Sequence, residues 1–452
     1  MIHEDARDIP VAAECDICVI GGSCTGVFAA VRAARLGAKV VVVESNGFFG
    51  GVATAGLVSI WHSDRDVAEE KTIIGGLTIE MIDRLKRRSA VVEKQSGARR
   101  HFVLNTAELM IELDELVVEN KIAPFLQARF AAPITRDDAP AAVAIEDKTG
   151  RRAIKAKYFV DATGDADLIA RMGLACYTRC SDHLQPPTTC AIIQGLDDVA
   201  KQNPGFSLSK VVHDPKYPNA LKHGFLWSAP VTGAPDMQMV AGTRVHGADC
   251  SDADQLTRAE IEGRRQVRAI CDIVRDNMKG GKALGLVALP TYIGIRETRH
   301  VECLHRLTTD EVLWGKRFTD AIANGSYPVD VHHSDKPGIT FRYLDGTQRY
   351  CVPGKEPEAG RWREELAESP TFYQIPYRCL VPKGSRNVLA AGRMIDADEG
   401  AYGAIRVMVN CNQTGEAAGS AAYLALDAGL PVKDVDPNGL RETLRKGGSI
   451  VI

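Results

Sequence analysis

The 452-residue sequence predicts an α/β fold: a parallel sheet continued by a three-stranded β-meander, with a mixed α+β domain inserted into it. Three observations carry this. Residues 15–44, CDICVIGGSCTGVFAAVRAARLGAKVVVVE, join an apolar run, a glycine turn, an Ala-rich segment of helical period and a second apolar run, the signature of a βαβ unit. Residues 123–161 contain three short strand-like runs. Residues 387–428 return to the opening pattern, with a strand, a glycine loop and a small-residue helix, so both ends of the chain build one domain.

In order along the chain, the first helix should begin after the glycine turn and end at Gly37, a residue suited to a left-handed cap. Residues 39–44 then form the second, parallel strand. Residues 105–119 read as a helix behind an Asn/Thr cap. Strands follow at 123–135, 141–147 and 153–161, the expected meander. From 168 to 372 the character changes to longer loops and mixed strands, with a helix over 257–278. Within this stretch, 203–236 is rich in Pro, Gly and Lys, a composition compatible with a lid or with an inert surface loop. A strand at 387–391 and a helix over 403–428 close the domain. The division is 1–167 with 373–452 for the first domain and 168–372 for the second.

Composition bounds the function. With 55 Lys and Arg against 58 Asp and Glu, the net charge is −3 and no basic stripe is present, so nucleic acid is not an expected partner. No apolar run approaches the ~20 residues of a membrane span, and the acidic start MIHEDARDIP lacks the basic and apolar regions of a secretory signal. A cytoplasmic protein with reduced thiols is expected. Cys15 and Cys18 share a strand at positions facing opposite sides, and Cys176, Cys180 and Cys190 do not match metal-ligand spacing, so no metal is expected.

The turn Gly21-Gly22-Ser23-Cys24-Thr25-Gly26 sits where a dinucleotide fingerprint belongs, after a strand and opening a helix. It reads GxSxxG, with Ser23 at the second glycine. Free amides and the dipole at the helix N-terminus suit a pyrophosphate, and Glu44, ending the second strand, is placed to accept hydrogen bonds from a ribose. The fingerprint alone does not separate NAD from FAD. Three later segments favour FAD: the second glycine turn 47–51 (GFFGG), the run 160–165 (VDATGD) ending a strand, and 390–393 (AAGR) before a helix whose N-terminus would stabilise charge on a reduced flavin. An NAD domain needs none of these.

With these segments the sequence resembles the FAD-dependent oxidoreductases of the glutathione-reductase fold group, in the branch related to fumarate reductase flavoproteins. The resemblance covers nearly the whole chain and includes IIGGLTIEMIDRL (73–85), LTRAEIEGRRQV (256–267), GIRETR (294–299), YPVDVH (327–332), IPYRCLVP (375–382) and IRVMVNC (405–411). It implies a Rossmann-like FAD-binding domain and an inserted substrate domain. By position, Gly21, Gly22, Ser23 and Gly26 would hold the pyrophosphate, Glu44 the adenosine ribose and the Phe130 backbone the adenine. Gly50, Gly51, Ala53 and Gly164 would line the cofactor's path. Gly392, Arg393, Ile405 and Arg406 would lie near the ribityl chain and ring. Cys24, Thr25, Ser45, Val52, Thr54, Ala162, Thr163, Asp165 and Ala404 flank these positions and complete the cofactor set. Two places depart from the family pattern: Ser23, and 396–403 (DADEGAYG), where relatives usually place a His near Glu399.

The implied chemistry is hydride transfer between a small organic substrate and FAD, as dehydrogenation or C=C reduction, with FAD-dependent monooxygenation as the alternative. A flavin-containing nucleic-acid or partner-binding module is a third reading that the charge disfavours. Arg296 and Arg299 could clamp a carboxylate or oxyanion, or instead join the domains in a network with Glu297. His332, or His333 beside it, is a candidate acid/base. Tyr377 and Tyr402 are expected to flank the ring, where they would be either catalytic or packing aromatics, and Cys411 to lie near it.

Overall fold

The computed structural model describes residues 1–3, 5–96, 99–180, 183–222, 226–333, 336–352 and 355–452. Its centre is a five-stranded, all-parallel sheet in the order Val388–Ala390, Tyr158–Asp161, Ile17–Ile20, Val40–Val43, Ala123–Phe125. The central strands ICVI and VVVV are buried along their whole length, as a parallel sheet covered on both faces requires. Helix Cys24–Arg35 crosses between the first two strands, and Gly37 behind it takes φ +113°.

Helix Met408–Ala428 packs on helix Cys24–Arg35, and small residues set their approach. A Cβ on Gly415 would stand 2.1 Å from the Thr25 carbonyl oxygen, and one on Gly419 2.0 Å from that of Ala29. The composition AAGSAA therefore encodes contact between two helices, and its lack of a polar face follows from burial. A buried Arg32–Glu416 ion pair ties the two helices, with Glu416 also accepting from Leu77 N at 3.1 Å.

Several sequence expectations are corrected. The run expected at 123–135 is two strands in two sheets, Ala123–Phe125 in the parallel sheet and Arg129–Arg136 in the meander. Between them Gln127 adopts φ +51° and donates to the Asn46 carbonyl, a left-handed turn made without glycine. The run 153–161 likewise divides into Gly150–Lys155 and Tyr158–Asp161, because Lys157 N and Tyr158 N turn to the Asp16 carbonyl. The meander strands Arg129–Arg136, Ala139–Asp147 and Gly150–Lys155 gain a fourth, parallel neighbour, Val11–Glu14. The helix expected over 403–428 is two, Glu399–Ile405 and Met408–Ala428, broken where Val407 is extended (ψ 146°).

The helix expected from 257 begins at Ala253, because Asp252 caps it by accepting from Gln255 N at 2.8 Å. It packs with the antiparallel strands Ala191–Gln194, Met237–Ala241 and Gly285–Ala288 around an apolar cluster of its own, and Trp227–Pro230 completes their sheet. Residues 301–344 instead share the core of the parallel sheet. The segment 203–236 contains the helical turn Leu208–Val211 and strand Trp227–Pro230; its residues 223–225 lie outside the described residues. Among the described residues no helix is long and apolar enough to cross a membrane.

Candidate functional site

A cavity of about 1280 Å³ runs from the fingerprint turn to a cluster of arginines on the inserted segment. It exceeds the roughly 300–1,000 Å³ of a site for one drug-sized ligand. The dinucleotide end is built by the close approach of three loops. Gly21 has φ +100°, and a Cβ there would meet the Ala162 carbonyl oxygen at 2.4 Å; on Gly26 it would lie 1.8 Å from Gly21 O. Ser23 needs no glycine: at φ −63°, ψ 172° its backbone is extended, and it caps the helix by accepting from Gly26 N at 3.4 Å. Its side chain points toward Gly51, whose missing Cβ would stand 2.6 Å from Ser23 Cβ. The fingerprint's missing glycine is thus matched by one in the second glycine turn.

Glu44 is buried and oriented. One oxygen accepts from Gly22 N at 2.7 Å, the other from Asn46 N and Nδ2, each at 2.7 Å, and from Ser45 Oγ at 3.1 Å. The first oxygen keeps a lone pair for a hydroxyl donor. Asp161 fixes the third loop by accepting from Thr163 N and Oγ1, Leu168 N and Ile169 N, and burial pushes its pKa up to about 6. Asp165 beyond it holds Arg393 at 2.7 Å, while the buried Arg393 Nε has no partner among the described residues. A tight glycine cradle, an acid with spare acceptor capacity and an orphaned guanidinium N–H fit a phosphate-bearing dinucleotide.

At the other end, Arg296 and Arg244 converge on one hydroxyl. Their Nη1 atoms donate to Thr188 Oγ1 at 2.5 and 2.9 Å, and Arg296 Nη1 also reaches the Pro186 carbonyl at 2.5 Å. Burial and Arg406 lower the Arg296 pKa to about 10. Arg406, at the break between the last two helices, pairs with Asp330 Oδ2 at 3.1 Å. The same oxygen accepts from Tyr327 Oη at 2.9 Å, and the Tyr327 ring lies 4.3 Å from His62. His332 Nε2 is 3.4 Å from Asp330 Oδ1, and burial together with Arg296, Arg244, Arg406 and His246 keeps His332 neutral, well below its ordinary pKa.

Among the sequence-derived residues, Gly21, Ser23, Cys24, Thr25, Glu44, Ser45, Gly50, Gly51 and Val52 line the cavity. So do Phe130, Ala162, Thr163, Gly164, Asp165, Gly392, Arg393 and Arg406, together with Arg296, Arg299, His332 and Cys411. Gly22, Gly26, Ala53, Thr54, Ala404 and Ile405 stand behind this lining and shape it; Thr54 Oγ1, for example, holds the glycine turn by donating to Phe49 O at 2.7 Å. Arg299 donates to Asp165 O, Asp167 and Ser251 O, joining two loops at the cavity's edge. Glu297 pairs with Arg179 and His300 instead of with Arg296 or Arg299. Tyr377 is away from the cavity, donating to Val432 O at 2.7 Å, and Tyr402 is buried against His300 with its hydroxyl on Arg296 O. Neither lines the cavity. His333 turns to Thr340 Oγ1 at 2.7 Å.

Sequence reasoning missed His62, Arg244, Tyr327 and Asp330. Tyr327 and Asp330 lie inside the YPVDVH motif, which was a usable signal; nothing local marks His62 or Arg244.

The profile of the FAD dependent oxidoreductase family matches residues 16–444, and the chain belongs to that family. It is thus a flavoenzyme with FAD as its cofactor. Solved structures similar to it include a geranylgeranyl bacteriochlorophyll reductase-like protein from Thermoplasma acidophilum (12% identity, TM-score 0.49, covering 96% of this chain and 83% of that one). The p-nitrophenol 4-monooxygenase PnpA from Pseudomonas putida DLL-E4 (11%, 0.44, 96% and 85%) and the flavin-dependent brominase Bmp2 (11%, 0.44, 95% and 83%) are others. No curated protein sequence matches the chain.

Proposed function

We propose that the chain transfers a hydride between FAD and a small organic substrate held at the Arg296–His332 end of the cavity. The supporting observation is the continuity of that one cavity, from the glycine cradle to a neutral imidazole flanked by guanidinium groups. FAD supplies the two-electron partner. The chain's own residues orient and manage charge. Asp165 and Thr163 fix the loop opposite Gly392, and Asp165 aims Arg393. His332, uncharged, has a lone pair to take the proton that a dehydrogenated substrate releases, and Asp330 is placed to stabilise the resulting imidazolium.

The division into domains is a proposal of the same reading: Thr188, Arg244 and Arg296 come from the part of 168–372 with its own strands and apolar clusters, Tyr327, Asp330 and His332 from the stretch 301–344 that packs on the parallel sheet, and all cofactor candidates from 1–167 or 373–452. His62 and Arg406 are the first domain's contribution to the substrate end.

The test is anaerobic. Holoenzyme is mixed with panels of hydroxy acids, amino acids, secondary alcohols and amines, and the visible flavin band is followed. Bleaching by substrate without NAD(P)H is expected. Bleaching only by NAD(P)H there, with oxygen from labelled O2 appearing in the product when air is admitted, would replace this reading by monooxygenation.

A further inference from the structure

Buried guanidinium groups need counter-charge or full hydrogen bonding, because desolvating a cation costs several kcal/mol. At the substrate end Arg296 and Arg406, half-buried in the cavity wall, find only part of that counter-charge among the described residues. Arg296 touches no carboxylate: its contacts are the Pro186 carbonyl and the Thr188 hydroxyl, both through Nη1. Its Nη2 and Nε have no partner among the described residues, and the residue lines the cavity. Arg406 uses Nη2 on Asp330, leaving Nη1 without a partner and Nε buried and unpaired. Arg244 keeps other partners and adds its field from behind Thr188.

The neighbouring titratable groups do not supply the missing charge. Burial pushes the Cys190 thiol up to about 11, so it stays protonated beside Arg296 and Arg244. The Tyr327 phenol is likewise held neutral by burial and by Asp330, and His332 carries no charge. Asp330 is the described carboxylate that acts on Arg244, Arg296 and Arg406 alike, and its Oδ2 is already committed to Arg406 and Tyr327. One anion therefore faces at least two cations, and the excess opens toward the cavity.

We infer that this end of the cavity binds an organic carboxylate, which Arg296 and Arg406 grip between them. A guanidinium presents planar paired donors that match the two oxygens of such a group, and charge-assisted hydrogen bonds are the strongest available there. Phe341 of strand Ile339–Arg342 and Tyr343 just beyond it also line the cavity and give the rest of the ligand an aromatic surface. This inference deepens the functional reading above and rests on it.

The test uses FAD-loaded enzyme and a matched set of probes: acetate, benzoate, their amides and inorganic phosphate. Binding is read as perturbation of the flavin spectrum, with flavin content measured for every preparation. At least one carboxylate should bind at least about tenfold more tightly than its amide, the equivalent of one good charge-assisted contact. Arg296→Gln should erase that preference while retaining flavin. Equal binding of acid and amide in the wild-type protein overturns the inference even if the variant fails to fold. Phosphate binding as tightly as the best carboxylate, and displacing it, overturns it in favour of an inorganic-anion site. A protein that refuses FAD altogether would instead sink the functional reading.

Discussion

Ser23 and Gly51 make the explanation of the altered fingerprint testable by a double-mutant cycle. Ser23→Gly restores the usual glycine. Because Ser23 is already extended and contributes only a long cap bond, the change removes little: a few tenths of a kcal/mol for the cap plus about 0.5–1 for glycine's entropy. FAD affinity should change less than about threefold. Gly51→Ala should do more. Its φ of +59° costs an L-residue about 1 kcal/mol, and the new Cβ would sit 2.6 Å from Ser23 Cβ, an overlap worth a further ~1–3 kcal/mol. In the double variant that overlap disappears while the φ cost stays. The predicted coupling is therefore about 1–3 kcal/mol, with Ser23→Gly rescuing Gly51→Ala. FAD dissociation constants, measured by fluorescence quenching on the four proteins, give the cycle directly. Additive effects, or a tenfold gain in FAD affinity from Ser23→Gly alone, would refute the idea that the two positions exchanged a side chain.

Asp161→Asn replaces an acceptor of four N–H and O–H groups by an amide that donates on one side, and should cost about 2–4 kcal/mol in urea unfolding of the apoprotein; a loss below 1 kcal/mol would contradict the assigned bonds. His332→Gln should leave flavin content unchanged while slowing substrate-driven bleaching about 100-fold, as loss of a general base does; an unchanged rate removes His332 from the chemistry. Stability should fall on acidification. Burial lowers His62 and His300 from 6.5 to about 3, so below about pH 6.5 the unfolded chain takes up protons that the folded one refuses. Each histidine contributes at most ~1.4 kcal/mol per pH unit, fully present as stability above 6.5 and lost toward 3. Asp161, raised to about 6, works the opposite way between about 4 and 6 and offsets one of them. Urea unfolding at about pH 5 and pH 6 should show lower stability at the lower value, and His300→Asn should flatten the slope; a slope of the opposite sign would contradict these burials.

The dinucleotide end was legible because its determinants are local. Strand, turn, helix, strand and Glu44 lie within 30 residues of Cys15, and each residue type answers to a backbone requirement. What stayed hidden depends on distant partners. The break between Phe125 and Arg129 gives no sequence cue, since Gln127 turns left-handed without being glycine. Arg296 and Arg299 look alike in GIRETR, and only the positions of Thr188 and Asp167, far off in sequence, separate a cavity-facing guanidinium from a loop tether. The break at Val407 that presents Arg406 interrupts an otherwise continuous helical pattern. His62 reaches the site from strand Ile60–His62 and Arg244 from the loop after strand Met237–Ala241, and the neighbours of neither carry a motif.

The proposed chemistry depends on one cavity joining FAD to a substrate pocket built around Arg296 and Arg406. A crystal structure of the FAD-loaded protein tests it most directly. The pyrophosphate should lie against the turn Gly21–Gly26, the ribose on Glu44, and the flavin ring between Gly392 and Arg406 with one face open toward Arg296 and His332. A ring seated elsewhere, or one that fills the space between Arg296 and His332 and leaves no room for a ligand, would contradict it.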